Sequence, residues 1–271
     1  MGSLALAISA FTEGIVERLR RSPAEGDCVL ANSSMPDPVV TQFVDAAIAR
    51  LRCLNLMRWP GKLPDMMRDA SITPSRDWVG WQPIPSTVTD TDLDKLEHET
   101  GLAFPPLYRG FLQYRHFVEL MEVGVRFKGH LCHNWQETLR KAYFRSWPRE
   151  RILDVGLLPF GDEAFMDAGP VCFDIRNRAE DGDCPVVFWD HEWVGTPKEV
   201  QEIFSSSSKM FECLSLVAAA DFNIIYHGDN DDPSLLPQKR QQLAEFLSVD
   251  RHGAGGPGRE YWTSWGVSPP G

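Results

Sequence analysis

The sequence predicts an α+β fold, a mixed and mostly antiparallel sheet flanked by helices, with a helical extension ahead of it. Two observations predict it. Helical and strand-like stretches segregate along the chain and do not alternate as they would in a parallel βαβ fold. The two most strand-like runs, Pro170 to Ile175 and Pro185 to Trp189, enclose a polar loop containing Asp181-Gly182-Asp183, which is a hairpin pattern. The chain has 271 residues, 43% hydrophobic and 24% charged, enough to bury a sizeable core. The expected division is a helical N-terminal extension over residues 1–80, an α+β domain over 81–227, and a C-terminal helix with a flexible Gly/Pro tail over 228–271.

In chain order, Phe11 to Arg21 places Phe11, Ile15 and Leu19 at four-residue spacing, with bases at its C-terminal end to suit the helix dipole. From Pro38, the residues Val39, Val40, Phe43, Ala47, Leu51 and Leu54 form one apolar face, with Asp37 as N-cap and Pro38 at the first helical position. Trp59 to Pro85 has few helix signals and reads as an irregular connector. A helix capped at Thr89-Asp90 or Thr91 turns Leu93 and Leu96 inward and stops at Gly101. Phe104-Pro105-Pro106 separates it from a second helix running to about Phe117.

Glu119 to Phe127 is β-like, and Trp135 to Phe144 has helical spacing. After the hairpin, Pro197 marks a helix start with Val200, Ile203 and Phe204 on one face. Ser205 to Ser208 breaks that pattern before an apolar helix ending near Phe222. Leu236 to Val249 makes one more helix. The tail beyond it is mobile or docks through Tyr261, Trp262 and Trp265.

Charge narrows the partner classes. The net charge is −11, and residues 86–227 carry −9 of it, with 23 acids against 14 bases. Nucleic acid needs a basic face, so it is not expected as a direct ligand, whereas a basic protein is. From Glu150 to Glu192 there are eleven acids and three arginines. Acids grouped in loops at strand ends produce a field that attracts a basic partner; the plain alternative is a wet face that keeps the protein in solution. Met1 to Ala10 lacks a basic leader, and no run of about eighteen apolar residues exists, so neither a signal peptide nor a membrane partner is expected and the location is cytoplasmic. The six cysteines contain no Cys-x-x-Cys pair and read as reduced thiols, Cys172 and Cys213 as core residues.

Sites for chemistry are poorly marked. Asp190-His191-Glu192 has metal-ligand residue types, but neighbours in a strand point to opposite faces. His130 and His133, with Cys132 between them, have no evident third ligand. No phosphate loop, Gly-x-Ser-x-Gly or Gly-x-Gly-x-x-Gly is present. No catalytic residue, metal or cofactor is expected.

Three pieces in order carry a family resemblance across about Trp81 to Phe222. They are the helix LDKLEHETG followed by Phe104-Pro105-Pro106-Leu107-Tyr108-Arg109-Gly110-Phe111-Leu112, the turn Leu158-Pro159-Phe160-Gly161-Asp162, and the strand Val187-Phe188-Trp189-Asp190-His191-Glu192. Together they resemble the SUKH superfamily, which includes the Smi/Knr cell-wall regulators and bacterial immunity proteins. The resemblance implies a non-enzymatic binding domain that neutralises a cognate toxin by occluding its active site; a basic, nuclease-type toxin is the partner that acidic loops suit. The alternative is an intracellular regulatory or scaffolding protein of the Smi/Knr-like type. On the immunity reading, Asp162, Glu163 and Asp167 supply charge, Asp190 and Glu192 act at the strand end, and Trp193 is an aromatic anchor. Trp189 is expected in the core.

Overall fold

The computed structural model describes residues 36–75, 77–164, 169–190, 200–221 and 233–266. The helix expected over Phe11 to Arg21 lies outside them. Helix α1, Pro38–Cys53, begins where Asp37 accepts a hydrogen bond from the Val39 amide, with Pro38 in the first turn. It buries Val40, Phe43, Val44 and Ala47. The connector then makes short pieces, β1 (Arg58–Pro60), β2 (Trp78–Gly80) and β3 (Ile84–Pro85), and sends Met57, Leu63, Met67 and Trp81 into the core.

Helix α2, Asp90–Thr100, opens with Thr89 and Asp92 in a reciprocal capping box and closes on Gly101 in the left-handed region at φ +76°. Helix α3, Pro106–Tyr114, is three residues shorter than expected, because Arg115–His116 form strand β4 against β3. Strands β5 (Leu120–Glu122) and β6 (Val125–Phe127) make a hairpin, and α4 covers Trp135–Phe144.

Strands β7 (Leu157–Asp162), β8 (Pro170–Asp174), β9 (Val186–Trp189) and β10 (Val200–Phe204) complete a six-stranded antiparallel meander, in the order β10-β9-β8-β7-β6-β5. The helix expected from Pro197 is therefore wrong over Val200 to Phe204. Val200, Gln201, Glu202 and Phe204 pair along β9, with Val200 opposite Trp189 and a register shift at Ile203, and the open sheet edge outweighs the helix-forming Glu and Gln between the apolar residues. Helix α5, Ser207–Ala219, follows with Ser206 as N-cap. Asp183, from the hairpin loop, accepts the Ser207 amide and hydroxyl and the Ser208 amide at the same helix start. One of the eleven acids thus has a structural use, at the positive end of a helix dipole.

The sheet is buried on both faces. Leu158, Phe160, Val171, Phe173, Val186 and Phe188 face the main core, with α1, α3 and α5. The alternate residues Leu157, Cys172, Val187 and Trp189 form a second cluster with Ile152, and Trp147 stands edge-on to Trp189 at 5.4 Å. Helix α6 (Leu236–Val249) and helix α7 (Arg259–Gly266) finish the described chain. Tyr261 and Trp262 are buried in the main core, so the tail docks, as one of the two expected outcomes had it; the side chain of Trp265 lies outside the described residues.

Candidate functional site

Antiparallel register brings three of the six expected site residues, Asp162, Glu163 and Asp190, to one end of the sheet. Asp162 ends β7 opposite Pro170, which begins β8; Val171 faces Phe188 on β9, and Asp190 follows directly after β9. Beyond Asp162, the Glu163 amide donates to the Gly169 carbonyl at 2.9 Å. Asp162, Glu163 and Asp190 therefore lie at the same end of the sheet, Asp190 two strands away from Asp162. Asp167, Glu192 and Trp193 lie outside the described residues.

The Asp162 charge is neutralised from within. Arg126 sits directly opposite Asp162 across the β6–β7 ladder, with its guanidinium 3.5 Å from the carboxylate, and Lys128 donates to the same oxygen. The Asp162 side chain is 14% exposed and Glu163 is 2% exposed. Gly161 permits the close approach of β6, because a Cβ there would come within 2.8 Å of the Arg126 carbonyl. On the same side Glu119 is half-buried, and burial pushes its pKa up to about 7 against the pull of Arg126. Asp162 thus ties two strands together, and Asp190 at the next strand end is half-buried.

Elsewhere in the acid-rich segment, Asp154 pairs with Arg149 and Asp174 holds Arg176 and Asn177. Asp181 accepts the Asp183 amide within the loop. Glu150, Glu180 and Asp181 are exposed. The count of acids could not show the pairing of Asp162, because its partners Arg126 and Lys128 come from another part of the chain.

Three buried cysteines, Cys172, Cys184 and Cys213, are not placed for nucleophilic work. Burial holds the Cys172 and Cys213 thiols far above the ordinary range, with Asp162 adding to the effect at Cys172, and it pushes Cys184 up to about 12. Among the described residues, no group of three or more His, Cys, Asp or Glu side chains is arranged to hold a metal ion. His191 and Glu192 lie outside those residues.

His130 packs against His116, a residue the sequence did not single out. The rings are 4.6 Å apart and both residues are fully buried. The Thr87 amide donates to His116 Nε2 at 2.9 Å, which leaves the proton on Nδ1, facing the His130 carbonyl at 3.0 Å. His130 Nδ1 lies 3.1 Å from the Arg115 carbonyl and 3.2 Å from His116 Nδ1. Both rings are neutral: burial lowers His116 to about 4, and burial with the His116 neighbour lowers His130 well below its usual value.

A His pKa depressed on folding contributes stability that is complete above the unfolded value near 6.5 and lost as pH falls through the folded value. His116 alone represents on the order of 3 kcal/mol across that window. A His116→Gln variant offers an acceptor to Thr87 and a donor to the His130 carbonyl without titrating. Urea unfolding at a series of pH values is expected to show wild type losing stability relative to this variant as pH drops from about 6.5 to about 4. Parallel profiles would contradict the neutral-pair assignment. The comparison with the variant matters because Glu119 shifts the opposite way in the same window.

No helix among the described residues is long and apolar enough to cross a membrane. Residues 87–213 match the SMI1 / KNR4 family (SUKH-1), in agreement with the resemblance read from the sequence. No curated protein matches the chain.

Proposed function

We propose, from the premise that the chain carries a SMI1 / KNR4 family (SUKH-1) domain over residues 87–213, that it is an immunity protein which binds a cognate basic toxin and occludes its active site. The observation that carries this reading is the family match itself, since the family includes toxin immunity proteins. Support from the geometry is that Asp162, Glu163 and Asp190 lie at one sheet end, where strands β7 and β9 finish. In this reading Asp190, Asp167 and Glu192 attract the partner and Trp193 anchors it, while Asp162 and Glu163 act through the shape of the sheet end. A basic partner fits the −9 carried by residues 86–227.

Calorimetric titration with the toxin domain encoded beside this chain tests the reading. Nanomolar affinity that weakens as salt rises is the expected result. Changing Asp167, Asp190 and Glu192 together to Lys is expected to weaken binding at low salt by about tenfold or more, chiefly through slower association, with the fold intact. Binding unaffected by that charge reversal would move the contact surface elsewhere. No binding at all would favour the regulatory, Smi/Knr-like reading.

A further inference from the structure

Strand β10 is an edge of the main sheet, and residues 250–266, outside the family-matched region, lie along it. Their hold on the edge comes from side chains. Asp250, 1% exposed, accepts the Ser205 amide at 2.8 Å and the Ser205 hydroxyl, and also takes the Gly253 and Ala254 amides of its own loop. The Trp262 indole donates to the Ile203 carbonyl at 2.8 Å, and Gln201 donates to the Pro257 carbonyl at 3.2 Å. The indole N–H thus takes the place of a further strand's amide at Ile203, and the carboxylate takes the place of its carbonyl at Ser205, one residue past β10.

Glycine makes this approach possible. A Cβ at Gly253 would overlap the Ser205 amide nitrogen, and one at Gly258 would stand 2.8 Å from Ile203 Cα. Packing completes the attachment: Trp262 lies 4.8 Å from both Phe204 and Phe246, and Tyr261 donates to the Gly124 carbonyl at 2.7 Å. Gly124, at φ +73°, has no room for a side chain, since a Cβ would meet the Trp262 ring at 2.6 Å.

We propose that residues 250–266 guard the β10 edge, and that the strand they keep off it is β10 of a second copy of this chain. An uncovered edge offers unpaired amides and carbonyls to any extended segment. Val200-Gln201-Glu202-Ile203-Phe204 contains three strongly β-prone residues and neither Lys nor Pro; its only interruptions are Glu202 and a register shift between Glu202 and Phe204. Two such edges pair antiparallel about a twofold axis, which makes the second copy the partner always at hand.

The test compares the full chain with a variant carrying Asp250→Ala and Trp262→Ala, by light scattering after size exclusion over a range of concentrations. The variant's mass is expected to rise with concentration toward twice the wild-type mass, and Gln201→Lys added to it is expected to restore the wild-type value. A wild-type mass at every concentration, in a variant whose residues 250–266 have become protease-sensitive, would overturn the proposal. So would association that the lysine does not reverse, because that would be adhesion through the uncovered Phe204 and Phe246. If the alanine variant does not fold, Asp250→Asn with Trp262→Phe keeps the packing, removes the indole donor, weakens the carboxylate cradle and is read by the same criteria.

Discussion

Replacing Arg50 by alanine is expected to lower the unfolding free energy by about 3–5 kcal/mol. Arg50, on α1, meets Glu122, on β5, at 2.7 Å, with the two side chains 6% and 1% exposed. Its other nitrogen donates to the Ala220 carbonyl at the end of α5. One guanidinium thereby connects two helices and the short edge strand of the sheet. Removing it leaves the Glu122 carboxyl without its cation in a site closed to water, and that uncompensated charge makes the loss large. Replacing both partners, as Arg50→Met with Glu122→Leu, is expected to be close to neutral or stabilising, because burying two charges costs about as much as their attraction returns.

The pH dependence follows from the Glu122 carboxyl. Burial pushes it up to about 7 against the opposing pull of Arg50. A carboxyl raised on folding contributes stability that is complete below its unfolded value and lost as pH rises through the folded one. Without Arg50, Glu122 escapes its penalty only by taking up a proton. The Arg50→Ala loss is therefore expected to be larger near pH 8 than near pH 5. Equal losses at both, measured by urea unfolding, would show that the pair is not what the substitution disrupts.

Phe111→Ala is expected to cost about 3–5 kcal/mol, with the urea midpoint falling and the slope unchanged. The Phe111 ring stands 4.9 Å from Phe127, 5.6 Å from Phe117, 5.7 Å from Phe211 and 6.5 Å from Phe43. It is where α3, α1, α5 and the sheet meet. Its neighbours belong to separate elements and are themselves buried, so they have little freedom to close the cavity. Phe111→Leu should lose less, since most of the volume is kept. A loss below about 1.5 kcal/mol for the alanine variant would mean that the aromatic cluster repacks.

Much of this protein's local structure was set by its sequence. Asp37-Pro38 starts α1, Thr89 and Gly101 bracket α2, and the apolar runs on either side of Asp181-Gly182-Asp183 pair as a hairpin, because caps, turns and apolar periodicity act within a few residues of one another. The family match over residues 87–213 was legible in the same way, from short motifs in order. Tertiary structure decided what depended on distant partners. Val200 to Phe204 suits either a helix face or a strand, and the open edge of β9 selects the strand. The Gly-rich tail reads as flexible until Ser205 and Ile203 are seen beneath it, where glycine serves close approach and not freedom. Acids counted as a surface field are divided by the fold: Asp162 is bound by Arg126 and Lys128 and Asp183 serves a helix start, while Glu150 and Glu180 are left at the surface. A charge is fixed by its residue, but its availability to a partner depends on which opposite charge the folded chain brings beside it.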